Sequence, residues 1–142
     1  MCVLERDFCV TTSNGLTYLR IFADDAGESH MEDLDLTMLP KQIFPKLPEL
    51  HLTPVVAATG LSFCRVPPGI TEVSWHNSPS RKIVIWLTGE IEYETSDGMV
   101  RRLPPGSVVL SEDTTGKGHI SRHPPEGQLL AFIDLDEEAL RL

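Results

Sequence analysis

Few side chains in this 142-residue sequence change charge near neutral pH; five of them are histidines. His76 follows Trp75, and His119 closes the run Gly116-Lys117-Gly118-His119; between them stand Lys82 and the pair Glu112-Asp113. Imidazole titrates close to pH 7, and burial draws a lysine down toward it. Gathered in one cavity, two imidazoles, a lysine and a carboxylate form an acid and base set. Such a set takes a proton from a carbon next to a carbonyl and stabilises the enolate. If the fold brings them together, His76, His119, Lys82 and Glu112 are the catalytic candidates, with the two histidines as the acid and base pair. The competing reading of each histidine is a hydrogen-bonded group in a polar cavity. For Lys82 it is a residue paired with a glutamate of the adjacent strand.

The Gly116-Lys117-Gly118 run is not a phosphate loop, which would need glycine where Ser111 stands and Ser or Thr where Gly118 stands. Its glycines are expected to turn a loop tightly so that His119 points back inward, with Lys117 outside. Glu112 and Asp113 either orient His119 or satisfy the backbone of the Thr114-Thr115 turn, the turn being the expected role of Asp113. Trp75, Trp86, Phe63 and Phe132 are candidates for the apolar walls of a substrate site, or plain core. Arg81 is a further substrate-binding candidate, because a one-residue slip in strand register would turn it inward in place of Lys82.

Positioning these groups falls to short apolar runs rich in Val, Ile, Phe and Tyr and punctuated by Pro and Gly, an all-β pattern. The expected strands are Thr17 to Ala23, Ser29 to Thr37, Ser62 to Val66, Lys82 to Leu87, Glu90 to Thr95, Met99 to Leu103, Ser107 to Ser111 and Leu129 to Leu135. Turns are expected at Pro67-Pro68-Gly69, Asp97-Gly98 and Pro104-Pro105-Gly106. In Glu90-Ile91-Glu92-Tyr93-Glu94 the alternation turns Ile91 and Tyr93 to a core. Lys82 to Leu87 is apolar on both faces, so Ile83, Ile85 and Leu87 need cover from an N-terminal arm or a second chain. The proline-rich stretch from Met38 to Pro54 reads as an extended arm packed on the surface, and Asp136 to Leu142 as a short helix. One domain is expected: strands and arm over residues 1–60, a core over 61–136 and a tail over 137–142.

Composition narrows the partners. Twelve Lys and Arg against 21 Asp and Glu leave a net charge of -9, the wrong sign for nucleic acid or an anionic membrane. Cys2, Cys9 and Cys64 form no C-x-x-C pair and read as reduced thiols, and charges interrupt the first ten residues, so a cytoplasmic location is expected. The expected partners are a small-molecule substrate and a second copy of the chain.

From Val66 to Leu135 the sequence resembles the cupin superfamily, whose two motifs flank a hairpin. Gly69, His76, Ser78, Lys82 and Gly89 stand at the positions of the first motif; Pro105-Gly106 and Gly116-Lys117-Gly118-His119 stand at those of the second. Glu112 to His119, Glu-Asp-Thr-Thr-Gly-Lys-Gly-His, is similar to a signature of small single-domain cupins, as are Asp25 to His30 and Pro79-Ser80-Arg81. The resemblance implies a double-stranded β-helix, the jelly-roll barrel, with an extended N-terminal arm and with His76 and His119 directed into one cavity. In metal-binding members three histidines and a carboxylate hold Fe, Mn, Ni or Zn. Here His76 and His119 stand at two of those positions and Ser78 and Lys82 at the others, with Glu112, His30 or His123 as replacements. The implied function is a lyase or isomerase of the dehydratase, cyclase or decarboxylase kind, with no cofactor required. The alternatives are a metal-dependent dioxygenase, using a divalent ion on His76 and His119, and a non-catalytic ligand-binding cupin.

Overall fold

Alternating strand sequences of this kind bury one face, and the chain satisfies them by laying sheets over one another. The computed structural model describes residues 15–141, together with the backbone of the first two strands. Fourteen strands follow one another: β1 (Cys2–Glu5), β2 (Phe8–Thr11), β3 (Gly15–Ala23), β4 (Ser29–Thr37), β5 (Leu39–Lys41), β6 (Leu50–Leu52), β7 (Ala58–Val66), β8 (Glu72–His76), β9 (Lys82–Trp86), β10 (Ile91–Thr95), β11 (Val100–Leu103), β12 (Val108–Ser111), β13 (His119–Arg122) and β14 (Gln128–Leu135). The side-chain environments of Cys2 and Cys9 lie outside the described residues; Cys64 is a free thiol.

Two sheets make the body, one of six strands in the order β4-β3-β12-β9-β14-β7 and one of four in the order β11-β10-β13-β8. Between them lies a shared core in which Leu19, Ile21, Val109 and Leu130 of the larger sheet meet Ile91, Tyr93 and Leu103 of the smaller. Ile91 and Tyr93 face inward, as the alternation of their strand requires. Each fully buried leucine or isoleucine here contributes about 1.5–3 kcal/mol of transfer free energy. All pairs are antiparallel except β12 with β3. A parallel neighbour needs a long connection, and the chain between β3 and β12 supplies one.

The outer face of the larger sheet carries a second cluster. Ile83 packs there with Tyr18, Leu110 and Leu135, and the covering residues are Val56, Ala139 and Leu140. Cover for this strand therefore comes from the segment entering β7 and from the C-terminal turn. Leu87 stays exposed. The proline-rich stretch does not lie down on the sheets: β5 and β6 pair with each other, and every residue from 39 to 52 is exposed.

The expected C-terminal helix does not form. Asp136 accepts from the Ala139 amide through its carbonyl and from the Glu138 amide through its carboxylate, closing one turn. Leu140 then adopts φ +57°, which ends the turn, and so short a segment cannot repay helix nucleation. No described helix is long and apolar enough to cross a membrane.

Candidate active site

Register brings the two histidines together. His119 opens β13 directly opposite His76 at the end of β8. Cross-strand partners share a face of the sheet, and the two ring centroids are 4.4 Å apart at 60°. The approach depends on Gly118, at φ +73°, where a Cβ would stand 2.3 Å from the backbone oxygen of His76. Gly116, at φ +80°, is packed as tightly on the backbone of Gly27. Both positions of the Gly-Lys-Gly run thus require glycine, while Lys117 points outward and pairs with Glu28.

Each histidine is anchored through Nδ1. His76 Nδ1 lies 2.7 Å from the Ser74 carbonyl oxygen, which only accepts, so Nδ1 carries the proton and Nε2 the lone pair. Burial disfavours its charged form most strongly and holds His76 below the ordinary histidine range, with neighbouring His119 acting in the same direction. His119 donates from Nδ1 to the Asp113 carboxylate at 2.5 Å, which leaves its Nε2 free of protein partners among the described residues. Asp113 is fully buried, and its second carboxylate oxygen accepts from Ser111 Oγ.

Strand alternation brings the Asp113 carboxylate to His119, against the turn role expected of it, and takes Glu112 away from the histidines. Ser111 and Asp113 project to the cavity side, and Glu112 to the other face. There Glu112 accepts from Arg20 at 2.5 Å and from Arg81. Burial pushes its carboxyl up, but the two guanidinium groups outweigh this and hold it below the usual carboxylate range. Neither Glu112 nor Arg81 lines the cavity that holds the histidines.

That cavity has a volume of about 270 Å³, at the small end of ligand pockets, which run from roughly 300 to 1,000 Å³. Lys82, Trp86 and Phe132 line it, as does Cys64. The Lys82 ammonium sits 4.6 Å from the centre of the Phe132 ring and 3.7 Å from Asp134 on the adjacent strand. Phe63 and Trp75 are absent from the lining. They are 67% and 46% exposed, because Cys64 and His76, their strand neighbours, occupy the inward positions.

Tyr93, which the alternation assigned only to a core, also lines the cavity. Its oxygen accepts from Trp86 Nε1 at 3.0 Å, and its own proton has no partner among the described residues. Burial drives its pKa far up and keeps the hydroxyl protonated. His123 also lines the cavity but is fully committed: Nδ1 donates to Gln128 Oε1 at 2.6 Å, and Nε2 accepts from Ser121 Oγ at 3.0 Å. His30 lies elsewhere, between Asp24 and Asp97.

The groups facing the cavity thus include the Nε2 atoms of His76 and His119, the Cys64 thiol, and Ser78 and Lys82 beside them. Ser78 donates its hydroxyl to the Ser80 carbonyl, and an ammonium offers no lone pair. Among the described residues no group of three or more His, Cys, Asp or Glu side chains is placed to hold a metal ion.

No protein-family model matches the chain, and no curated protein matches it.

Proposed function

We propose that the chain is a cupin-type jelly roll acting as a small-molecule lyase or isomerase on a carbonyl-containing metabolite. The observation that carries this reading is the pair His76 and His119. Their rings lie 4.4 Å apart in a small, largely apolar cavity, each with Nδ1 committed to a fixed acceptor. Placed so, His119 Nε2 takes a proton from the carbon next to the carbonyl. The imidazolium that forms is stabilised by the Asp113 carboxylate on its other nitrogen, the arrangement that makes a histidine an effective base. The electron pair of the broken C–H bond moves to the carbonyl oxygen, for which the Tyr93 hydroxyl and the Lys82 ammonium are the available donors. Where the deprotonated carbon bears a hydroxyl, passage of that hydroxyl's proton to the former carbonyl oxygen and return of the first proton to the former carbonyl carbon complete an isomerisation; where the next carbon bears a hydroxyl, transfer of the proton to that departing hydroxide, released as water, completes a dehydration. His76, neutral at pH 7, offers an acceptor to a substrate hydroxyl.

Metabolite capture from a cell extract on the immobilised protein tests the reading. A small carbonyl compound held by the wild type and lost in Trp86→Ala supports it; no enrichment contradicts it. Elemental analysis separates the dioxygenase alternative. The expected result after dialysis is well below one metal per chain, whereas stoichiometric Fe, Mn, Ni or Zn that disappears in His76→Ala would favour that chemistry. Capture without any turnover, in the wild type as in His119→Gln, would favour a binding protein.

A further inference from the structure

On β4, outside the cavity, His30 sits in a geometry that only one of its charge states satisfies. Its Nε2 lies 2.7 Å from Asp24 Oδ2 and its Nδ1 3.0 Å from Asp97 Oδ2. Carboxylate oxygens accept and do not donate, so the two bonds together need a proton on each ring nitrogen. A neutral ring has one proton and turns a lone pair toward the second carboxylate. The charged groups around it favour the protonated ring. Asp25, exposed in the same turn as Asp24, adds negative charge. The nearby cations are engaged elsewhere: Arg20, over the Phe22 ring that packs beside His30, pairs with Glu32 and Glu112, and Lys117 pairs with Glu28.

Each carboxylate divides its oxygens in the same way. Asp24 Oδ1 accepts from the Ala26 and Glu28 amides and shapes the turn between β3 and β4. Asp97 Oδ1 accepts from Thr95 Oγ1 and the Met99 amide and shapes the turn between β10 and β11. The second oxygen of each reaches His30. The same two turns hold the run that places His119. Ser29, fully buried, donates from Oγ to the Gly118 carbonyl at 2.6 Å and accepts from the Ser96 amide at 2.8 Å. The Lys117 amide donates to the Gly27 carbonyl at 2.9 Å.

We propose that His30 is a proton-operated tie between these two turns, closed when the ring is charged and released on one side when it loses a proton, and that release loosens the Gly-Lys-Gly run ahead of His119. Solvent reaches the switch directly, since the His30 side chain is 32% exposed. The direction follows from its partners. The bond to Asp24 raises the pKa of the ring most, burial lowers it and the bond to Asp97 raises it again, with an upward balance. The tie is therefore closed on the acid side of the ordinary histidine range and opens as pH rises beyond it. It is independent of the reaction in the cavity.

Amide hydrogen exchange read by NMR tests it at the Lys117 amide, with the His30 ring signals followed in the same samples and both variants checked for folding by thermal melts. The protection factor, which removes the intrinsic pH dependence of exchange, should fall about threefold to tenfold as pH rises through the His30 titration, the scale of a charged hydrogen bond in partial contact with water. His30→Asn should show the lower protection throughout, with no step. Asp97→Asn is the sharper control. Its side-chain oxygen still accepts within the turn, while its nitrogen donates to the lone pair of the neutral ring, so protection should stay at the acid wild-type level. Wild-type protection that stays level through the His30 titration overturns the proposal. So does His30→Asn with an equal step or with protection as high as the acid wild type, either of which removes His30 from the effect. An equal step in Asp97→Asn overturns it as well, because the charge of the ring then does not act through Asp97.

Discussion

His119 Nδ1 and Asp113 Oδ2 lie 2.5 Å apart, and the carboxylate that holds the ring is wholly buried. The Asp113 backbone serves the same site, since its carbonyl accepts from the Ser78 amide and from Asn77 Nδ2 and so ties the end of β8 to the loop before β13. Asp113→Asn keeps an acceptor for the ring but removes the charge that compensates an imidazolium. Turnover should fall about 10²–10⁴-fold, while unfolding free energy falls by only about 1–3 kcal/mol. Denaturant melts beside single-turnover assays check the separation; a loss of activity no larger than the loss of folded protein would reduce Asp113 to a structural role.

Tyr93 offers a second separation of roles. Tyr93→Phe removes the hydroxyl proposed as a donor to the substrate and also leaves Trp86 Nε1 without its acceptor. Loss of one donor to a developing oxyanion costs roughly 10²–10³ in kcat, with KM little changed, because the interaction matters most in the transition state. Steady-state kinetics decide: a raised KM with unchanged kcat would make Tyr93 a binding residue alone.

Two histidines pull stability in opposite directions with pH. His76 is held below 6.5 by burial. As pH drops below about 6.5 the unfolded chain takes up a proton that the folded chain refuses, and stability is lost toward the lowered value. His30 is held above 6.5, first by its hydrogen bond to Asp24 and then by that to Asp97. Its contribution is fully present below 6.5 and disappears as pH rises through its folded value. Thermal melts from pH 5 to 8 should therefore show the acid-side loss reduced in His76→Asn and the alkaline-side loss reduced in His30→Asn. Parallel curves for either variant and the wild type would contradict the assignment for that residue.

Most of the strands were legible because period-two alternation survives in Ser29–Thr37 and in Ile91–Thr95. The strands that carry the chemistry were not. Glu-Val-Ser-Trp-His of β8 and His-Ile-Ser-Arg of β13 are short and polar, and β13 gains its place by pairing on both sides, with β10 and β8. Only the resemblance to cupins directed His76 and His119 to one cavity. Register settled what composition could not: Lys82 lines the cavity and Arg81 leaves it for Glu112, and Asp113 in place of Glu112 reaches His119. Phe63 and Trp75 were misplaced because aromatic character says nothing about which side of a strand a residue takes. Asp113 could have been found by counting alternation on from Ser111; the free hydroxyl of Tyr93 depends on Trp86 reaching it across the core and leaves no trace in sequence.

Transfer of a proton at carbon through His119 is the central claim, and deuterium reports it directly. A metabolite extract incubated with the protein in D₂O and read by mass spectrometry should contain a carbonyl compound that gains deuterium at the adjacent carbon, or is converted to a product that carries it. The label should fall at least about 10²-fold in His119→Gln while the variant still captures the same compound. Labelling that proceeds equally in His119→Gln, or a captured compound whose adjacent carbon never exchanges in the wild type, would contradict the account.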